Sequence, residues 1–382
     1  MLDRAARAAL RALGRTSPNP IVGAVLRTTR GELVTARHDR FGGPHAEAAA
    51  IAAARDRGLD TAGATVYVTL EPCDHHGKTP ACSHALLDAG VAEVVAAAAD
   101  PNPLARGGFD TLRQAGVRCR FSAASPLADA VSEPFLVNIQ HRRPFVLAKW
   151  AQTLDGKLAT RDADSKWISS PASRRDVHRL RARADVILTG ASTVLADDPL
   201  LTAREVPLRR AARRVLLDAD LAVPASARLF ASVAAAPVTV LTTEQAVAAE
   251  PERVVRLHSL GVEVHAVPHE PATGPTAAAL DLRAALRTLA ERYDASNLML
   301  EAGPRLLSAF LAADLIDLAR VYVAPTIVGD SKAAAITRRP PTLRMADAQR
   351  LALAHVKRFG DDLRLTLRRP QPIVILRPAA HA

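Results

Sequence analysis

The chain has 382 residues, 49% hydrophobic and only 3% aromatic, enough apolar material for two domains with proper cores. Its formal net charge of +11 invites a nucleic-acid reading, but only six of the 50 basic residues are lysine, the arginines are scattered, and few aromatics are available for base stacking; a solvated basic surface with sites for anionic substrates is favoured over an RNA groove. Three cysteines exclude a disulfide framework and fit a reducing cytoplasm, and the Arg/Ala-rich start has no apolar run long enough for a signal peptide or a membrane span.

In chain order, the first part reads as helix 3–13, strands 21–28 and 31–38, helix 46–57, strand 64–70, helix 82–89, strand 91–98, helix 107–115 and strand 117–121. Strands alternating with helices imply a layered α/β sheet. Residues 122–143 change character: Pro126, Pro134 and a basic run at 141–143 suggest a junction, so the first domain is placed at 1–143. The second, 144–370, alternates again. Strands are expected near 145–151, 185–190, 213–218, 237–242, 262–267, 297–301, 317–323, 351–358 and 362–368, and helices near 171–183, 244–250, 280–292 and 304–313. This is a mostly parallel sheet with an antiparallel end, the last two strands forming a hairpin across Gly360-Asp361-Asp362. Residues 371–382, rich in Ala and Pro, read as a peripheral tail.

The tightest chemical constraint is His45-Ala46-Glu47, then Glu71-Pro72-Cys73, then Cys82. One imidazole and two thiols are zinc ligands, and three protein ligands leave the fourth position of a catalytic zinc for a water, which the metal acidifies toward neutral pH. Glu47, two residues after His45, suits the proton carrier rather than a ligand. His45 sits at the start of helix 46–57 and Cys82 at the start of helix 82–89, where a thiol is more readily ionised. Taken singly, such a His is a surface residue and such Cys are small core residues. A closed structural zinc site is a further reading, with His75, His76 or His84 as fourth ligand, but it leaves Glu47 without a role. Cys119, in an expected strand, reads as an inert buried thiol.

The pattern H-x-E, P-C, Cys is similar to that of zinc nucleobase deaminases. Here the two cysteines are separated by an insert, DHHGKTPA, in place of the frequent two residues. The run TLEPCDHHGKTPAC, with SPNPIVGAV upstream and DPNP downstream, resembles the bifunctional riboflavin-biosynthesis deaminase-reductase family. Lys78 and the backbone around it offer donors for a phosphate, and Asn19, in a rigid turn between two prolines, for a pyrimidine edge. His38 and the Asp100-Pro101-Asn102-Pro103 turn fall on positions that line the family's pocket. Ordinary turn chemistry is the alternative for each.

No G-x-G-x-x-G occurs, so an ordinary dinucleotide fold is unsupported; Glu301-Ala302-Gly303-Pro304, closing a strand and opening a helix, is a weak phosphate signal alone. The runs KWAQTLDGKLA, SKWISSPASRRDVHRLR and LTGASTVLADDPLLTAR resemble the family's second half. The resemblance implies a cytidine-deaminase-like three-layer α/β domain followed by a dihydrofolate-reductase-like α/β domain that uses NADPH. It places substrate contacts on Ser165, Arg181, Leu201, Arg204 and Glu301, with Lys149 near the ribose. It places the nicotinamide cofactor on Ala151, Trp167, Thr193, Asp197 and the run Gly303, Pro304, Arg305, Leu306, Leu307, Ser308, Ala309. Trp150 and Gln152 depart from the small residues frequent there, and Ala219 replaces a common Ser. The implied reactions are zinc-dependent hydrolytic deamination of a diamino-ribosylamino-pyrimidinone phosphate, then NADPH-dependent reduction of its ribosyl group to ribityl. The implied partners are small molecules and further copies of the chain, with no nucleic acid and no membrane. Two other readings stay open: a deaminase for another base with a non-catalytic second domain, and an RNA-binding protein in which zinc only staples the fold.

Overall fold

Alternation along the strands decides which helices cover which face. The structure is a computed structural model, and it describes residues 1–75, 80–122, 125–208, 210–270, 279–337, 344–370, 375 and 377. They form two compact units, one built on Met1–Arg143 and one on Pro144–Pro372.

In the first unit, strands β1 (Gly23–Arg27), β2 (Leu33–Arg37), β3 (Thr65–Val68), β4 (Glu93–Ala96) and β5 (Arg118–Phe121) stand in the order β2-β1-β3-β4-β5. β1 is antiparallel to both neighbours, and β3, β4 and β5 are parallel. The helices are α1 (Leu2–Ala9), α2 (Ala46–Asp56), α3 (Cys82–Asp88), α4 (Gly108–Gln114) and α5 (Pro126–His141). Val66, Val68, Val94 and Ala96 turn to one face, under Ala50 and Ile51 of α2, Leu86 of α3 and Phe109 and Leu112 of α4. Tyr67 and Val95 turn to the other, under Leu2 and Ala6 of α1 and Val131 of α5. The result is three layers. A Cβ on Gly23 would sit 1.9 Å from the Ala5 carbonyl oxygen, so only glycine lets α1 lie this close to β1.

Helix α5 occupies the stretch expected to be a junction. Its prolines read as breakers, but Pro126 stands in the first turn, where no N–H is needed, and the Ser125 hydroxyl accepts from Ala128 N at 3.4 Å. Burial of Ala128, Val131, Leu136 and Val137 on one face carries the helix past Pro134. Helix 3–13 is an α-helix only to Ala9, followed by a 3-10 turn over Leu10–Ala12. Of the tail read as peripheral, Arg377 returns to the first unit: its Nε donates to the Ala97 carbonyl at 2.8 Å and its guanidinium pairs with Asp129.

The second unit carries β6 (Phe145–Thr153), β7 (Val186–Gly190), β8 (Arg213–Leu217), β9 (Val238–Thr242), β10 (Glu263–Ala266), the short pair β11 (His269–Glu270) and β12 (Ala279–Leu280), β13 (Asn297–Leu300), β14 (Leu318–Ala324), β15 (Ala352–Phe359) and β16 (Asp362–Arg368). The large sheet runs β10-β9-β8-β7-β13-β6-β14-β16-β15. It is parallel from β10 to β14, and β14, β16 and β15 are antiparallel to one another. The helices are α6 (Pro171–Arg181), α7 (Ala191–Asp197), α8 (Arg228–Ala231), α9 (Glu244–Ala249), α10 (Pro251–Ser259), α11 (Leu282–Tyr293) and α12 (Pro304–Ala312). Leu298 and Leu300 face α11 and α12, while Met299 between them faces the layer holding α6, α8 and α10. The short helices α7 and α8 and the Pro251-led α10 fall outside the expected set, because three turns or fewer leave little periodicity to read. Among the described residues, no helix is long and apolar enough to cross a membrane.

Candidate active sites

In the first unit, two helix starts and one strand end converge. His45 is the N-cap of α2, Cys82 opens α3, and Cys73 follows β3. The ligand atoms of His45, Cys73 and Cys82 lie within 4.8 Å of one another. His45 Nδ1 is 3.3 Å from Cys82 Sγ and 3.5 Å from Cys73 Sγ. Hydrogen bonding to Cys82, then His45, pulls the Cys73 thiol down to about 4, while the same contact with Cys73 and burial push Cys82 up. Two buried sulfurs cannot both ionise beside one imidazole, and a divalent cation between them removes that conflict. The donor set, one nitrogen and two sulfurs, therefore fits zinc with one position left over. His75 and His84 are exposed and lie outside this cluster. His76 and Lys78 lie outside the described residues.

Glu47, in the first turn of α2, is 3% exposed. Burial, then the charge on Cys73, pushes its carboxyl up to about 7. The cavity in front measures about 390 Å³ and is lined among others by Pro18, Asn19, His38, His45, Glu47, Cys73, Asp100 and Asn102, a size suited to a small ligand. His38 is 2% exposed, and burial lowers its basicity. Its Nδ1–H donates to the Pro44 carbonyl at 2.9 Å, so Nε2, 3.4 Å from Asn19 Nδ2, is the acceptor. That hydrogen bond leaves the Asn19 carbonyl oxygen for a ligand. Asp100 N and Phe109 N donate to Glu71, which ties the loop carrying Cys73 to the 100–109 segment. Phe135, Asn138 and Ile139 of α5 also line the cavity. Sequence reading missed them with the helix; the Ser125 cap and the apolar spacing 128, 131, 136 were the available signals.

In the second unit, the parallel neighbours β13 and β6 bring two expected positions level with each other, and the end of α6 brings a third. Glu301 follows β13 and is buried level with Lys149 of β6, whose Nζ lies 4.0 Å away. Arg181, ending α6, holds the Glu301 carboxylate with Nε at 2.5 Å and Nη2 at 3.0 Å, and gives Nη1 to the Thr202 carbonyl at 3.0 Å. Burial works against charge on Glu301, but Arg181 and Lys149 outweigh it and hold the carboxyl below its ordinary range. Burial lowers the Lys149 ammonium. Arg181 thus spends its charge on Glu301. Arg204 is exposed, with Nη1 on the Thr202 hydroxyl at 3.0 Å, and is the freer of the two arginines.

Thr193 Oγ1 accepts from Gly303 N at 3.0 Å, joining α7 to the start of α12. Of the run on α12, Leu307 is turned into the core, and the Ser308 hydroxyl is used on the Pro304 carbonyl at 2.6 Å; Leu306 packs beside the core, while Arg305 and Ala309 are exposed. Leu201 is likewise buried in the core, and its φ of 52° turns the chain there. Ser165 is half-buried in a turn, Trp167 is 71% exposed under the Arg174 guanidinium, and Ala151 of β6 and Asp197 at the end of α7 are half-buried. The two unusual residues on β6 satisfy each other, since Trp150 Nε1 donates to Gln152 Oε1 at 2.8 Å. Ala219 acts through its carbonyl, which accepts the hydroxyls of Thr242 and Thr243, so its side chain leaves no gap in bonding. Cys119, in β5, is half-buried rather than buried, and burial pushes its thiol up to about 11.

Residues 1–98 match the family model of the cytidine and deoxycytidylate deaminase zinc-binding region, and residues 144–365 that of the RibD C-terminal domain. The riboflavin biosynthesis protein RibD of Aquifex aeolicus (strain VF5) is 40% identical over 319 residues, 83% of this chain and 84% of that protein. That of Escherichia coli (strain K12) is 35% identical over 370 residues, 96% of this chain and 98% of that one. The solved structure of Acinetobacter baumannii RibD, form 1, superposes with a TM-score of 0.80 at 34% identity, covering 97% of this chain and 98% of that one. A Thermotoga maritima diaminohydroxyphosphoribosylaminopyrimidine deaminase/5-amino-6-(5-phosphoribosylamino)uracil reductase superposes equally well, with a TM-score of 0.80 at 33% identity over 96% and 97% of the two chains. With both halves matched along nearly its whole length, the chain belongs to the RibD family of bifunctional deaminase-reductases of riboflavin biosynthesis.

Proposed function

We propose that the first unit deaminates a diamino-ribosylamino-pyrimidinone phosphate at the His45, Cys73, Cys82 centre, and that the second reduces the ribosyl group of the product at the pocket around Lys149, Arg204 and Glu301. The observation that carries the reading is the buried carboxylic acid Glu47 beside a three-ligand cluster that opens into a cavity. When bound, zinc supplies a Lewis acid that makes water a nucleophile at neutral pH. Glu47 takes one proton from the attacking water and gives it to the ring nitrogen, then carries the proton of the added hydroxyl to the exocyclic amine, which leaves as ammonia as the carbonyl forms. Asn19 and His38 hold the pyrimidine edge, and burial of the site keeps bulk water from competing.

NADPH supplies the reducing equivalents of the second step. Ala151, Trp167, Thr193, Asp197 and the start of α12 at Gly303 would hold it, and the backbone N–H groups of a helix's first turn would suit an anionic phosphate. Arg204 takes the substrate phosphate, Glu301 and Lys149 orient the sugar, and Arg181 keeps Glu301 ionised. One paired assay tests the division of labour. Protein given the pyrimidine substrate releases ammonia without NADPH, and added NADPH is then oxidised. Stripping zinc with a chelator stops ammonia release but leaves NADPH oxidation on the deaminated product within about threefold. Loss of both activities, or of neither, contradicts the reading.

The chain also self-associates in this account. β15 is an exposed edge strand whose Leu353 is 60% and Val356 46% exposed, the kind of edge that a second copy covers. Sedimentation of the full chain checks this, and a monomer at micromolar concentration counts against it.

A further inference from the structure

The two sulfur ligands are separated in sequence by an eight-residue insert, so something other than chain length must set their spacing. We infer that Asp74 is a positioning residue that braces Cys73 against Cys82. Asp74 directly follows the first thiol, and Ser83 directly follows the second. The Ser83 hydroxyl donates to Asp74 Oδ1 at 2.5 Å, and Ser83 N donates to the Cys73 carbonyl at 3.2 Å. Residues 73–74 are therefore doubly tied to the first turn of α3. The other carboxylate oxygen, Oδ2, accepts from the Thr111 hydroxyl of α4 at 2.8 Å, and Asp74 N donates to the Ala105 carbonyl at 2.8 Å.

One carboxylate thus joins the loop carrying Cys73 to two helices, one of which carries Cys82. Ser83 is fully buried, so water does not compete for these contacts. The same corner is pinned from the other side: a Cβ on Gly108 would stand 1.9 Å from the Pro72 carbonyl oxygen, and glycine there lets α4 press against the residue before Cys73. The brace holds the two sulfurs within 4.8 Å of each other, a metal-binding separation. Outer partners of this kind fix first ligands, and removing them typically costs about 10–100-fold in metal affinity.

The inference rests on the zinc reading of His45, Cys73 and Cys82. Asp74→Ala removes both side-chain contacts. Asp74→Asn restores them, because its oxygen accepts from one hydroxyl while its amide donates to the other. Zinc content, the rate of zinc loss to a chromogenic chelator, and the sulfur-to-cobalt charge-transfer band of the cobalt-substituted protein are compared with wild type. Asp74→Ala is expected to lose zinc at least about tenfold faster with a shifted cobalt band, and Asp74→Asn to recover to within about threefold. If Asp74→Ala does not fold, Ser83→Ala, which deletes one oxygen, is expected to change zinc release and the cobalt band in the same direction. Wild-type zinc release and an unchanged cobalt spectrum in the folded variant overturn the brace. Wild-type protein that holds no zinc overturns instead the metal reading beneath it, so the two failures are told apart.

Discussion

Glu47→Gln keeps its zinc and loses deamination by about 10²–10⁴-fold, while the reductase half works at its former rate. The amide has nearly the size of the carboxyl, so the 3%-exposed site stays filled and the fold is undisturbed. What it lacks is a proton that can be taken up and returned. Glu47 lies in the first turn of α2, one residue past Ala46 and two past His45, so its position is set by the same helix start that sets the nitrogen ligand. Ammonia release, zinc content and NADPH oxidation on deaminated substrate separate the outcomes. A variant that holds zinc and still releases ammonia at the wild-type rate removes Glu47 from the proton path.

The second large effect is on the other unit. Arg181→Met leaves Glu301 buried with Lys149 at 4.0 Å as its nearest remaining described cation and His178 farther off. Breaking a buried pair in this way costs about 3–5 kcal/mol. For a unit of this size that lowers the unfolding midpoint by roughly 6–20 °C. The sign with pH follows from the carboxyl. In wild type Arg181 holds Glu301 below its ordinary range, so the pair stabilises above the unfolded carboxylate range, and this is lost as pH falls through the lowered folded value. In the variant burial prevails and protonation favours the folded form, so the deficit is full at pH 7 and narrows on acidification. Calorimetry at two pH values reads it, and an unchanged midpoint for the second unit contradicts the assignment. Arg204→Ala differs in kind: the side chain is exposed, so stability stays within about 0.5 kcal/mol, while the Michaelis constant for the deaminated substrate rises about 10–100-fold. An unchanged constant removes Arg204 from the phosphate site.

The chemistry was more legible than its scaffolding. His45, Glu47, Cys73 and Cys82 declare themselves because residue type and spacing carry the information, and the structure brings the three ligand atoms together. Short continuous apolar runs gave both sheets, since burial on two faces leaves β3, β4 and β13 apolar at nearly every position. Helix α5 was lost to Pro126 and Pro134, which end helices in most contexts, and with it went Phe135, Asn138 and Ile139 of the cavity wall. Pairs such as Arg181 with Glu301, or Asp74 with Thr111, leave no local pattern at all: each joins residues far apart in the chain, and only the fold makes them neighbours. Leu201 and Leu307 are both buried in the core, which matching a position in the sequence does not reveal.

X-ray absorption at the zinc edge of the purified full chain bears most directly on the whole account. It should report one zinc per chain with two sulfur neighbours at about 2.3 Å and nitrogen or oxygen completing a four-coordinate shell, one of them an imidazole. A shell of four sulfurs, a shell with two imidazoles and no exchangeable position, or protein that deaminates fully without zinc would contradict it.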